Sequence, residues 1–337
     1  MQCLLNEKCY GLRYNCTAYD VNSIPKETRR HIMPGIVLLH FYFIFELLYV
    51  PCIVVFAQKR NIRESCYKLM LCMAITCLIN IHSNCLFVAI YSLRGDVFCD
   101  RPLFTYVAGM FVMAFYCCES ALSVILALNR CIEMFNHRLA AELFDGHKVY
   151  IWLAGITIYS AWMGFCFLPP LANGMVVGYF WQAHVGYRED AEGWYQHVLF
   201  AHHNLTTGLG IPFIYLIFYL MMQKKSRSYV SSSDQQFSTV DRKRNRSIFL
   251  QVFLIGAVTM NFSLLYIYVQ YFPVPPWFMI LTHFCWATSQ GLYAVIMICF
   301  NATIRHTIKA VFIKPTMSRL APTTHVKTIN TFSTRPT

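Results

Sequence analysis

Long apolar runs separated by short polar stretches set the pattern of this chain. Seven runs reach the roughly 20 residues that a helix needs to cross a hydrocarbon core. They lie at about 32–57, 67–92, 103–128, 149–171, 197–222, 247–272 and 277–300. The third and sixth are the cleanest. Asn80, His82 and Asn84 interrupt the second, and the fifth carries His202, His203 and Asn204 at its start and Pro212 within it. The third closes on SALSVILALNR at 120–130, with one acid, Glu119, just ahead and a base, Arg130, at its end. The pattern predicts an all-α membrane protein, a seven-transmembrane helix bundle over 32–300.

Composition agrees. Hydrophobic types make up 57% of the chain and charged types 13%, against about 25% charged in a soluble domain. A net charge of +12 raises nucleic-acid binding, but the bases sit in short stretches between apolar runs. They suit anionic membrane lipids instead, and nucleic acid is not an expected partner. Of 15 cysteines, most lie inside apolar runs, where cysteine packs as a small hydrophobe. No Cys/His spacing suits a metal, and no cofactor is implied. The chain carries no GxSxG, HExxH, P-loop or GxGxxG pattern, so it does not read as an enzyme. The first thirty residues hold no apolar core of a cleavable leader, and the first span is expected to target the chain.

Lys and Arg predict the orientation. Lys59, Arg60, Arg63 and Lys68 follow the first run. Lys224, Lys225, Arg227, Arg242, Lys243, Arg244 and Arg246 lie between the fifth and sixth, and more bases follow residue 300. These segments are expected in the cytoplasm, with residues 1–31 as an extracellular N-terminus. Arg29 and Arg30 count the other way and are outnumbered. At 301–314, NATIRHTIKAVFIK places Ile304, Ile308, Val311 and Phe312 on one helical face, an amphipathic helix for the inner interface. Residues 315–337, rich in Thr, Ser and Pro, read as a disordered cytoplasmic tail. Of five glycosylation sequons, at Asn15, Asn204, Asn245, Asn261 and Asn301, this topology leaves Asn15 as the acceptor.

Seven spans, an outside N-terminus, a third span ending in Asn-Arg and an eighth helix along the membrane resemble a G-protein-coupled receptor. More locally the chain resembles the nematode serpentine chemoreceptors of the Srt class over about residues 10–315. The resemblance rests on YNCTAYD at 14–20, RRHIMPG at 29–35, FELLYVPC at 45–52, ESCYKLM at 64–70, GDVFCDRP at 95–102 and LALNRCIEMF at 126–135. It implies a plasma-membrane receptor that binds a small-molecule cue and signals through a heterotrimeric G protein. The chain departs from rhodopsin-like receptors in several places. The second span lacks an acid, the sixth lacks proline, the seventh has QGLYAVI in place of an Asn-Pro…Tyr switch, and no acid precedes Arg130. A transporter or channel, or a non-signalling scaffold or escort, are the alternatives. The odd span count and the lack of an internal repeat weigh against a transporter.

From Pro102 to Arg130 a helix runs roughly 42 Å, beyond a core of about 30 Å. Arg130 therefore reaches the headgroup zone. It is either a snorkelling stop-transfer base or, with Asn129, the G-protein contact that the resemblance implies. Glu119 lies about three turns away on the same face and must turn inward, neutral or tightly hydrogen-bonded. We expect it, and Glu46 in the first span, in a structural or switching polar network rather than on a ligand. Cys99 falls in the first outside loop. Rhodopsin-like receptors tie that point to the second outside loop, which has no cysteine here. Cys3, Cys9 and Cys16 remain, and Cys16, inside the family-like motif, is the favoured partner; a different partner or none is the alternative. The second outside loop is aromatic (Tyr179, Phe180, Trp181, Tyr187, Trp194, Tyr195) and reads as a lid over a cavity or as an interfacial belt. Trp181, His82, Asn84, His202, His203 and Gln290 are candidates to converge on a ligand, though each histidine also suits a packing role.

Overall fold

The computed structural model describes residues 3, 5–17, 21–188, 195, 197–231 and 239–308, with the backbone alone at 22, 134, 222–231, 239–249, 251–252 and 302–303. Two short helices, α1 (Glu7–Arg13) and α2 (Lys26–Arg29), precede the first span, α3 (Ile32–Phe56). The second span is α4 (Ser65–Ile81), a π turn at His82–Phe87 and α5 (Val88–Arg94). The third is α6 (Pro102–Phe135), followed by the short α7 (His137–Phe144). α8 (Lys148–Cys166) leads into a hairpin of β1 (Leu171–Asn173) and β2 (Gly178–Phe180). Then come α9 (Val198–Ser231), α10 (Thr239–Tyr271), α11 (Pro276–Phe300) and α12 (Ala302–Ile308). Seven of the described helices are long and apolar enough to cross a membrane. The fourth span stops at Cys166, short of the expected 171. Leu168-Pro169-Pro170 cannot continue a helix, because each proline lacks a donor and pushes the preceding residue to extended geometry.

α3 shows how the bundle is arranged. Phe43, Leu47, Val50 and Val54 recur at helical spacing and are exposed, while Leu38, Phe45, Tyr49 and Cys52 on the other face are buried. An outward apolar stripe of this kind has only hydrocarbon to face. α6 is the central element, packed on α4, α8 and α9. Its approach to α8 is close: a Cβ on Gly164 would stand 2.6 Å from both the Ala114 Cβ and the Met110 carbonyl oxygen. Pro102 starts α6 at its first turn, where a missing N–H costs nothing. Gly95 ends α5 in the left-handed region (φ 69°) and donates to the Tyr91 carbonyl at 2.8 Å, a helix stop that favours glycine.

At the end of the bundle that carries the hairpin, β1 and β2 pair antiparallel, Leu171 with Phe180 and Asn173 with Gly178. The hairpin is folded inward, and Leu171, Ala172, Val177 and Tyr179 are all buried. The Gly174 amide donates to the Asp96 carbonyl at 2.8 Å, and the Asn173 side chain donates to the Val185 carbonyl at 2.9 Å. The expected amphipathic helix is described as far as Ile308, with Ile304 buried and Arg305 exposed. Residues 309–314 and the expected tail at 315–337 lie outside the described residues, as do Trp194 of the aromatic loop and the side chains of Lys224, Lys225, Arg227, Arg242, Lys243, Arg244 and Arg246.

Candidate functional site

Below the hairpin lies a cavity between α6, α9, α10 and α11. Val112, Met113 and Tyr116 of α6 form one wall, and Pro170, Tyr179 and Trp181 of the hairpin segment close the top. Phe200, Tyr266 and Trp286 complete it. The cavity they surround is small, about 20 Å³. The lining is aromatic and interlocked. Trp286 meets Tyr116 and Tyr266 edge-on, each at 5.4 Å between centroids, and Trp181 lies 4.5 Å from Phe200. The Tyr116 hydroxyl donates to Asn204 Oδ1 at 2.6 Å. The indole nitrogens of Trp181 and Trp286 are buried and have no partner among the described residues.

One turn along α6 from Tyr116 the lining gives way to a polar layer. Glu119 Oε2 accepts from the Asn80 amide of α4 at 2.5 Å and from the Gln290 amide of α11 at 3.0 Å. The Asn84 amide donates to Gln290 Oε1 at 3.0 Å, and the Tyr49 hydroxyl of α3 donates to the Gln290 carbonyl at 2.7 Å. Four helices therefore meet around one carboxylate, whose burial is tolerable only because donors surround it. The π turn supplies the next tier. A widened turn leaves carbonyls without their usual helical partners, and two are used from outside. His283 Nε2 donates to the Asn84 carbonyl at 2.9 Å, and the Tyr179 hydroxyl of the hairpin donates to the Ser83 carbonyl at 3.0 Å.

The opposite end of α6 holds Arg130. Its guanidinium lies 3.4 Å from Glu133 and 3.5 Å from the Met70 sulfur, and its side chain is partly exposed. Asn129 beside it is buried, and its side-chain oxygen has no partner among the described residues. Nearby, Lys68 donates to the Gly146 carbonyl at 3.2 Å and sits 4.9 Å over the Tyr150 ring.

A family profile described as serpentine type seven-transmembrane GPCR chemoreceptor Srt matches residues 3–320. The chain belongs to the Srt family of serpentine chemoreceptors. It is also similar to serpentine receptor class T-55 of Caenorhabditis elegans, 20% identical over 295 residues that cover 87% of this chain and 78% of that protein. Family and fold together make it a multi-pass membrane protein of a chemoreceptor class.

In this Srt chain the six residues singled out for a ligand do not converge on one place. Trp181 lines the cavity, Asn84 and Gln290 join the polar layer beneath it, and His203 is buried at its side with Nδ1 2.6 Å from the Tyr159 hydroxyl. His202 is exposed on the outer face of α9, where its Nδ1 takes the Val198 carbonyl at 2.8 Å. His82 is also exposed, 3.1 Å from Glu46 and 3.2 Å from the Tyr42 hydroxyl. Glu46 is thus held apart from the Glu119 layer, on the outer flank of α3 and the π turn. Apolar run length cannot say which face of a helix a lone histidine or acid occupies.

Cys16 is bonded to Cys99, and Cys3 to Cys9. Asn15 is exposed beside the first bridge, its side-chain oxygen accepting from the Thr17 amide at 2.9 Å and the Thr17 hydroxyl at 2.7 Å. Some site residues have no counterpart in the sequence reading. Tyr116, Tyr266 and Trp286 stand inside apolar runs, at spacings that core aromatics share. Glu133 supplies Arg130 with an acid three residues after it. Arg29, which weighed against the expected orientation, is fully buried and paired with Asp100 at 3.2 Å. The detectable signal for the second pair was the Arg130–Glu133 spacing of three at the end of a run otherwise free of charge after Glu119.

Proposed function

We propose that this chain is a plasma-membrane chemosensory receptor that takes a small-molecule cue into the aromatic cavity and activates a heterotrimeric G protein at the Arg130 end. The hairpin end, with Asn15 as a glycan acceptor, faces outside, and the basic loops and C-terminal segment face the cytoplasm. The supporting observation is the continuity of α6. One helix carries the cavity wall (Val112, Met113, Tyr116), the polar hub (Glu119) and the terminal base (Arg130). A ligand that displaces Tyr116 or Trp286 shifts the helix whose far end holds the guanidinium, and it moves the equilibrium only by its differential affinity for the two arrangements. The cavity's small water-accessible volume fits a resting, closed packing.

The test is a chemical panel applied to cells expressing the full chain, with calcium or cyclic-nucleotide readout. The proposal expects a response that needs a G protein and is lost in Arg130→Ala at normal surface level. A ligand response that persists in cells lacking G proteins, or in Arg130→Ala, overturns it. Reporters inserted within 189–194 and 232–238 test the orientation, and Asn15→Gln should abolish the glycosidase-sensitive mobility shift.

A further inference from the structure

We infer that the cavity selects an uncharged ligand with an aromatic or compact apolar body and one hydrogen-bond acceptor, such as an aryl ketone, aldehyde or ester. The inference rests on the cavity being the receptor's ligand site. Its first ground is charge. No Asp, Glu, Lys, Arg or His is among the lining groups. The acid on the same helix, Glu119, already directs Oε2 at the Asn80 and Gln290 amides. His197, within 5.9 Å of Trp181 between ring centroids, is held down to about 4 by burial and so is neutral at physiological pH. A cation would enter without a counter-charge and an anion without a donor cluster, each losing its hydration.

The second ground is the pair of unpartnered donors. Trp181 and Trp286 are 7% and 4% exposed, both line the cavity, and neither indole nitrogen has a partner among the described residues. A buried indole N–H usually finds an acceptor, and leaving two unmet is costly. Tyr116 and Tyr179 also line the cavity, but their hydroxyls donate elsewhere, to Asn204 and Ser83. The unfilled capacity is therefore of donors, which a carbonyl or ether oxygen complements and a hydrocarbon does not. The closed cavity, about 20 Å³, holds little more than one water, so a compact ligand enters as the lining aromatics part.

The experiment uses the purified full chain in lipid nanodiscs and reads binding by tryptophan fluorescence and thermal shift. Three probes of matched shape are compared: acetophenone, isopropylbenzene and phenyltrimethylammonium. The parent should bind the ketone about fivefold to tenfold more tightly than the arene, the span of one hydrogen bond, and the cation most weakly. Trp286→Phe or Trp181→Phe keeps the ring and removes the N–H, so at least one should erase the ketone's advantage while leaving arene binding within about twofold. The inference fails if the ketone binds no better than the arene, if the cation binds best, if no probe binds, or if both variants keep the preference. The parent comparison decides even if a variant does not fold. Binding here needs no G protein, so ketone binding without cellular signalling sinks the receptor reading alone, and signalling driven by a charged ligand sinks the ligand class alone.

Discussion

At the hairpin end, the chain segments outside the spans are tied from several directions. Cys16–Cys99 joins the N-terminal segment to the start of α6, Arg29 reaches Asp100, Arg94 meets Asp96 at 2.9 Å, and Tyr14 packs edge-on to Tyr106 at 5.1 Å. The Tyr195 hydroxyl donates to the Arg13 carbonyl, holding that residue against the end of α1. At the basic end, the described contacts of Arg130 are one partly exposed ion pair within its own helix and one sulfur contact. Partly exposed ion pairs contribute little, whereas a cross-link that closes a long loop restricts the unfolded chain strongly. Among the described residues, the hairpin end is the one tied across elements by a long-range bridge and a buried ion pair, and the pair at Arg130 stays within one helix.

The largest effect should come from the hairpin end. Cys99→Ser removes a bridge of sequence separation 83 and should cost about 4 kcal/mol, read as loss of surface delivery and a much lower melting temperature in detergent. Cys3→Ser, whose bridge spans a separation of only 6, should leave delivery intact. If the two variants behave alike, the end is not held by the long bridge.

Glu119 comes next, midway between the ends. Glu119→Gln keeps a side-chain carbonyl oxygen for the Asn80 and Gln290 amides and should fold and respond nearly as the parent does. Glu119→Leu strands both amides and should lower stability by about 1–3 kcal/mol. Equal melting of the Leu and Gln variants would remove the carboxylate from its role as hub.

A smaller effect concerns pH. Burial, assisted by Arg188, holds His184 down from the ordinary 6.5 to about 4, and burial does the same to His197. A histidine depressed in this way binds fewer protons folded than unfolded between those two values. Stability is therefore full above about pH 6.5 and falls as pH drops toward 4. The melting temperature should fall across that window, and His184→Gln should flatten the profile. A loss of stability on the alkaline side instead would reverse the assignment.

The smallest change in stability, within about 0.5 kcal/mol, is expected for Glu133→Gln. Its functional effect should be the clearer one: with Arg130 released, basal G-protein activity should rise. Unchanged basal activity would mean that the pair restrains nothing.

Much of the fold was legible because a lipid core imposes length. Runs such as 277–300 can hardly be anything but spans, and the six short motifs placed the chain in its family. The cavity was not legible, because Tyr116 and Trp286 are spaced as core aromatics are and only tertiary packing shows that they surround a space. The hairpin escaped for a related reason. Its strands have three residues each, too few for an alternating pattern to stand out, and burial on all sides removes the alternation altogether. The π turn has no sequence signature here. It nevertheless fixes where Asn84 and His82 point, and so why one candidate lies inside the bundle and the other on its flank.

The pair on that flank also bears on synthesis. Glu46 and His82 are 3.1 Å apart in the finished bundle, yet translation delivers the acid first, and at roughly 5–20 residues per second its partner follows seconds later. Until then the histidine of the pair is missing from the carboxylate's surroundings. The first two spans thus complete one another as a unit, and the acid of the first meets its partner only when the second arrives beside it.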